Sequence, residues 1–267
     1  DDPDAPAVGG ATEITYRMLD EHSSQLARVL IGRGCGPGAV VAVSLGRSLE
    51  AIVAYWAIIK AGAAVLVLDP DRLPESLAAA AGGFPVVAGV TTAARTAALS
   101  ELAESIGEGG WVVVDDPAVR AAIDAESARP VTYRQRLRNL VGADPAFVDG
   151  RVVSYDALAG AVNDVCDLAS VDYESRTARV GTPDSFGTYL ETLVAAVAAA
   201  TVVLGEPDST PDWLADEWVT HIVADRVDDI DPGLDDLQAV IYVGRDRTER
   251  KDWPSDVTFV ALDDVLP

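Results

Sequence analysis

Clustered carboxylates, two histidines and one glycine run are the groups here whose spacing could support catalysis or ligand binding. The run Gly32-Arg33-Gly34-Cys35-Gly36-Pro37-Gly38 has the composition of a phosphate-binding loop. Such a loop follows a strand and opens a helix, so that the helix N-terminus faces the anion. This run follows a helical pattern and opens a strand, so it reads as a helix stop. The pattern GxxxxGK[ST] does not occur in the chain. Asp225, Asp228, Asp229, Asp231, Asp235 and Asp236 suggest a cation site. A calcium loop needs alternating acids, a central glycine and a distal Glu; Gly233 is misplaced and no such Glu follows, so a solvated connection is the reading. His22 falls on the polar side of a helix and His221 inside a strand. Without a GxSxG they give no hydrolase triad. Asp115-Asp116 precede Pro117 and read as a turn. The five Trp residues are scattered and read as packing residues. Cys35 and Cys166 match no CxxC or zinc spacing. On residue types alone the chain shows no self-evident active site, and no metal is assigned.

The frame that would position such groups is an ordinary globular one. The chain has 267 residues, 49% hydrophobic and 24% charged. Asp+Glu number 43 against 20 Lys+Arg, a net charge of −23. That field repels phosphate backbones and anionic membranes and favours basic protein surfaces. No nucleic acid and no membrane are therefore expected as partners. The start Asp1-Asp2-Pro3-Asp4 carries no visible targeting signal, and the longest apolar run, Leu193 to Leu204, is too short to span a bilayer. A cytoplasmic location is the expectation.

Helical periodicity covers Thr15 to Ile31, and Val40 to Leu45 reads as a buried strand. Ser48 caps a helix that stops at Gly62, and Ala64 to Leu68 is a strand. Helices over 74–81 and 92–106 alternate with strands over 85–90 and 111–114. From Pro117 to Asp149 the pattern weakens to loop with one short helix. It resumes with a strand at 151–153, a helix capped by Ser154 and a helix over 186–199. Strands at 201–204, 219–224, 239–243 and 257–262 complete it. The fold class is α/β: two lobes of mainly parallel sheet flanked by helices, about 11–130 and 143–267.

Ile14-Thr15-Tyr16-Arg17-Met18-Leu19-Asp20 resembles the first core motif of the adenylation domains of nonribosomal peptide synthetases. Leu26-Ala27-Arg28 and the stretch from Gly34 to Ala42 continue the likeness. The run from Ile59-Lys60-Ala61-Gly62 to Leu68-Asp69-Pro70-Asp71 is close to the second motif and is the most specific match. Pro3 to Val8 resembles the entry from a preceding condensation domain. Trp111 to Pro117 and Asp144-Pro145-Ala146-Phe147 extend the similarity, which weakens toward the C-terminus. The resemblance implies part of the large N-terminal subdomain of adenylate-forming enzymes. It also implies a family that activates an amino acid with ATP and passes it to a carrier-protein thiol.

By the same resemblance, a Ser/Thr/Gly-rich loop with a phosphate-holding lysine should follow Phe147-Val148. Asp149-Gly150-Arg151-Val152-Val153-Ser154 follows instead, so the loop is read as deleted. Anchored on Glu191 and Ala200 to Leu204, Phe186 stands where an Asp should pair with the substrate ammonium. Asp184 reaches that position only with a local shift in register. Gly244-Arg245-Asp246 replaces a Gly-Gly-Glu, and Asp263 to Pro267 stands where the adenine-stacking Tyr motif should begin. The small C-terminal subdomain is expected to be absent. The resulting expectation is a truncated, degenerate pseudoenzyme without catalytic residues or cofactor, acting as spacer or docking platform. Its partners would be neighbouring condensation or carrier-protein domains, or a tailoring enzyme in trans. The alternative is weak amino-acid or nucleotide binding, or residual adenylation, in a cleft between the lobes. Thr182, Asp184, Phe186, Thr188, Tyr189 and Gly244 would line that vestigial cleft.

Overall fold

The computed structural model describes residues 2–205, 213–227, 230, 233–243 and 253–262. Strands β1 (Pro6–Gly10) and β2 (Ile14–Thr15) precede helix α1 (Tyr16–Gly32), strand β3 (Val40–Ser44), helix α2 (Leu49–Ala61) and strand β4 (Ala64–Val67). Helix α3 (Leu77–Ala80), strand β5 (Val86–Thr91), helix α4 (Ala93–Thr96), a 3-10 turn (Ser100–Ser105) and strand β6 (Gly110–Val113) follow. Helix α5 (Pro117–Asp124) and a second 3-10 turn (Tyr133–Gln135) lead into strands β7 (Pro145–Val148) and β8 (Val152–Ser154). The remainder is α6 (Tyr155–Ala169), β9 (Arg176–Val180), α7 (Phe186–Ala198), β10 (Thr201–Leu204), α8 (Trp213–Asp216), β11 (His221–Ala224), β12 (Ala239–Tyr242) and β13 (Thr258–Ala261).

Two compact units result, one of residues 17–158 and one of residues 1–16 with 159–267. The first holds a six-stranded sheet in the order β6-β5-β3-β4-β7-β8, parallel except for the terminal β7–β8 hairpin. The second holds a seven-stranded sheet in the order β13-β12-β11-β9-β10-β1-β2. All its pairs are parallel except β1–β2. These are the two mainly parallel sheets expected from the alternation of elements. The lobe limits of 11–130 and 143–267 are drawn differently from these units. The β7–β8 hairpin completes the first sheet, and β1 joins the second through Val8 opposite Val202.

Burial on both faces explains the unbroken apolar strands. β3, β7 and β12 are buried along their whole length. In the first unit Val40, Leu66, Leu77, Leu99 and Val148 share one cluster; in the second Val203, Ile222, Leu237 and Val240 share another. Each such side chain contributes about 1.5–3 kcal/mol by leaving water.

Local signals fix the helix ends. The Ser48 hydroxyl accepts the Ala51 amide at 3.2 Å, and Gly62 closes α2 in the left-handed region at φ 85°. Two helices are shorter than their sequence patterns. Ser76 caps at the Ala79 amide, so α3 starts at Leu77 and not at Pro74. The pattern over 92–106 breaks into α4 and a 3-10 turn. There the Thr96 and Ser100 hydroxyls donate to the Ala93 and Ala97 carbonyls, at 2.6 and 2.8 Å, in competition with the helical ladder. The tryptophans also divide: Trp56, Trp111, Trp213 and Trp253 are half-buried, whereas Trp218 is 67% exposed.

Polar joints tie the elements together. The Lys60 ammonium, at the end of α2, donates to Asp20 Oδ1 at 2.6 Å and the Asp20 carbonyl at 2.7 Å. It also donates to the Ser23 and Ser24 hydroxyls at 2.8 and 2.9 Å, so one cation fastens α2 to α1. His221 is fully buried between the Ala169 carbonyl, 2.9 Å from Nε2, and the Thr220 hydroxyl, 2.8 Å from Nδ1. Burial lowers its pKa, so the folded ring is held neutral.

Two outcomes follow. Lys60→Met should cost about 1–3 kcal/mol in urea unfolding, because several acceptors on α1 lose their donor together. His221 supplies stability that is complete above about pH 6.5, its unfolded value, and is lost as pH falls toward the lower folded value. The stability gap between the native chain and His221→Gln should therefore narrow between pH 7.5 and pH 5.5.

Candidate functional site

The candidate residues at 182–189 lie on the turn from β9 into α7. Thr182, Asp184, Phe186, Thr188 and Tyr189 are brought together there; Gly244 lies outside the described residues. Asp184, Thr188 and Tyr189 are buried. The Thr188 hydroxyl donates to the Pro183 carbonyl at 2.7 Å, and Phe186 meets Tyr189 edge-to-face at 6.3 Å. The Thr182 amide donates to Asp225 Oδ2 at 2.7 Å.

Arg179, on β9, organises this turn. Its side chain is 0% exposed and forms an ion pair with Asp225. It also donates to the Val180 and Val223 carbonyls and, at 3.3 Å, to the Ser185 hydroxyl. The guanidinium occupies the space at the start of α7: a Cβ built on Gly187 would stand 2.6 Å from Arg179 Nε. Glycine is thus required at 187 by close approach. The sequence reading missed Arg179 and placed Asp225 in a solvated acidic stretch. The available signal was a lone arginine in the apolar run Thr177-Ala178-Arg179-Val180, because a buried charge demands a partner. Asp228, Asp229, Asp231 and Arg245-Asp246 lie outside the described residues. Among the described residues no group of three or more His, Cys, Asp or Glu is placed to hold a metal ion.

The second place to inspect is the β7–β8 turn, where the resemblance puts a phosphate loop. Three residues connect the strands, and their amides are already donated. Asp149 N–H reaches the Arg151 carbonyl at 3.1 Å and Gly150 N–H the Ala80 carbonyl at 2.7 Å. Arg151 N–H reaches Asp149 Oδ1 at 3.2 Å. The Arg151 guanidinium is paired with the Asp149 carboxylate at 3.0 Å. An anion cradle needs convergent N–H groups facing outward; this turn directs all three inward to its own acceptors.

The remaining reactive groups are similarly committed. Lys60 is held by α1 as described, and burial depresses its pKa against the opposing pull of Asp20. Burial pushes the Cys35 thiol up to about 12 and the Cys166 thiol to about 11, so neither is an activated nucleophile. His22 is exposed on α1 and His221 is a core residue, so the two do not form a catalytic pair.

Residues 1–149 match the sequence profile of the family described as AMP-binding enzyme. The chain is 32% identical over 238 residues to a probable non-canonical nonribosomal peptide synthetase, CymA, of Salinispora arenicola. That match covers 83% of this chain and 3% of the relative. It is 32% identical over 222 residues to novobiocin biosynthesis protein H of Streptomyces niveus, covering 78% of this chain and 36% of that protein. The chain therefore spans well under half the length of these relatives. Among solved structures it resembles ATP-bound MatB from Rhodopseudomonas palustris, with a TM-score of 0.72 at 18% identity over 91% of this chain and 52% of that one. It also resembles the nonribosomal peptide synthetase FmoA3 bound to α-methyl-L-serine-AMP, with a TM-score of 0.67 at 22% identity over 91% and 28%. At these identities the solved structures speak for the fold alone.

The Arg179–Asp225 pair generates an asymmetric prediction. Asp225→Ala strands a guanidinium that is fully buried, and should cost about 3 kcal/mol or more in urea unfolding. Arg179→Met leaves Asp225, whose side chain is 31% exposed and can be hydrated, and should cost clearly less.

Proposed function

Since the chain belongs to the AMP-binding enzyme family, we propose that it is a non-adenylating member of it, serving as a spacer or protein-docking unit of a nonribosomal peptide synthetase assembly line. The observation that carries this reading is the Asp149–Arg151 turn. Adenylate formation needs the ATP phosphates held while charge shifts onto the leaving pyrophosphate, a task for preorganised amides and cations. The three amides of this turn and its one guanidinium are bonded within the turn or to Ala80. Lys60, the one described lysine, is locked onto α1.

The β9–α7 turn supports the same reading for the other substrate. An amino acid is gripped through its ammonium by a carboxylate with room beside it. Here the carboxylate of Asp225 already faces the internal cation Arg179, and that cation packs against Gly187. Phe186 supplies a ring at the position that the motif comparison assigns to an acid.

What persists is the packing, which is what contact with neighbours requires. A net charge of −23 favours a partner with a basic face, and such a field raises association rates more than it raises affinity. The partners consistent with the family are adjoining condensation or carrier-protein domains, or a tailoring enzyme in trans. Amino-acid loading would then fall to another adenylating enzyme.

Amino-acid-dependent ATP–pyrophosphate exchange should stay at background for every proteinogenic amino acid; exchange with any one of them refutes the reading. ATP with magnesium provides a second check. A site with a dissociation constant of about 1 mM would add about 1.4 kcal/mol at roughly 10 mM ligand and raise the melting temperature measurably. No shift is expected. Co-purification with neighbouring synthetase domains should succeed at low salt and weaken at high salt; retention of none of them leaves the spacer role alone.

A further inference from the structure

The short helix α8 ends in a Schellman motif. The Trp218 amide donates to the Ala215 carbonyl and the Val219 amide to the Leu214 carbonyl, both at 3.0 Å. The residue at the turning point of that motif is almost always glycine, because it must adopt the left-handed conformation. In this chain it is Trp218, at φ 55°. A side chain with a Cβ is disfavoured there. Tryptophan normally offsets such a cost by burying its large ring, yet this ring is 67% exposed. Its placement therefore does little for folding.

The surroundings indicate what the ring is for. Trp218 lines a pocket of about 210 Å³ together with Val219, Gly233, Leu234, Asp235 and Asp236. The other nearby acid, Glu217, is already neutralised by Arg176 at 2.8 Å, and Arg176 also donates to the Glu217 carbonyl. The loop is thus clamped from below while the indole and two carboxylates border the pocket. An aromatic face beside carboxylates is the recognition chemistry of a cation. The ring quadrupole attracts it, the acids neutralise it, and Leu234 and Val219 cover an aliphatic stem.

We propose that Trp218, with Asp235 and Asp236, docks an arginine side chain from a basic segment of a partner protein. Arginine fits better than lysine because its planar guanidinium stacks on an indole while donating in-plane to carboxylates. Trp and Arg are also the residue types that dominate interface energetics. The inference rests on the docking reading for the existence of a partner, and it locates the contact. The chain's net charge of −23 favours approach of a basic segment.

The test uses the whole chain with the indole nitrogens labelled with 15N. The probe is a blocked Gly-Arg-Gly-Arg-Gly peptide, with its citrulline counterpart as the uncharged control. The Trp218 indole signal, assigned by its loss in Trp218→Gly, should move saturably with the arginine peptide, with a dissociation constant on the order of 1 mM. The citrulline peptide should leave it in place, and the lysine counterpart should bind more weakly. Asp235→Asn with Asp236→Asn should weaken binding at least about fivefold and flatten its salt dependence. Trp218→Gly should raise the melting temperature by roughly 2–4 °C, because glycine relieves the left-handed strain. A lowered melting temperature in that variant would make the indole a structural residue and overturn the proposal. An unmoved Trp218 signal, or an equal response to citrulline, overturns it as well. Neither result depends on co-purification, so this contact and the docking reading fail separately.

Discussion

A parallel sheet covered on both faces admits no unpaired charge, and that constraint governs most of the polar chemistry of this chain. Water is absent from the interior of each unit, so every buried donor or acceptor must find a protein partner or forfeit a large desolvation energy. Lys60 meets the demand with Asp20, Ser23 and Ser24. Arg179 meets it with Asp225, Ser185 and two carbonyls. Asp144 takes both guanidinium nitrogens of Arg138 and the Val141 amide, contacts that hold its carboxyl below the usual carboxylate range. His221 sits neutral between a carbonyl and a hydroxyl. Each group belongs to a residue type that enzymes use for chemistry. In each case its bonding capacity is directed inward, and catalysis requires the opposite: a group held ready but incompletely satisfied until substrate arrives.

The elements that obey strong local rules were legible from residue types. The apolar runs of β3, β4 and β12 declare themselves because burial on both faces removes the alternation that an exposed strand would show. Ser48 and Gly62 mark the ends of α2 through capping chemistry that depends on few neighbours. The failures occur where competition decides. Over 92–106 helical spacing is present, but Thr96 and Ser100 bond their own backbone and divide the segment. β1 was invisible as a strand. Five residues, Pro6 to Gly10, carry no strong periodicity, and their pairing with β10 is set by a chain segment nearly 200 residues away.

The candidate site was half legible for a related reason. The turn at 182–189 could be located, because the helix and strand after it anchor the comparison of motifs. What fills it could not. Arg179 comes from the strand before the turn and Asp225 from the end of another strand, β11, so their meeting is a product of the parallel pairing of β9 with β11. In sequence one looked like an isolated charge and the other like part of an acidic connection. Their pairing also dictates glycine at 187, a requirement that nothing in the local sequence states.

Trp218 inverts this logic. At Arg179, a charge that is costly to bury is stabilised by dense internal bonding, so its free energy is accounted for within the fold. At Trp218, a backbone conformation unfavourable for any residue but glycine carries the largest side chain, and two-thirds of that side chain faces solvent. The compensation is not within the described surroundings of the ring. A feature that costs stability and is not repaid internally points outward, to something that binds. The two sites thus divide the molecule by the direction of its interactions. The β9–α7 turn, where the family would hold a substrate, closes on itself, whereas the end of α8 leaves an aromatic face and two carboxylates open to a cation.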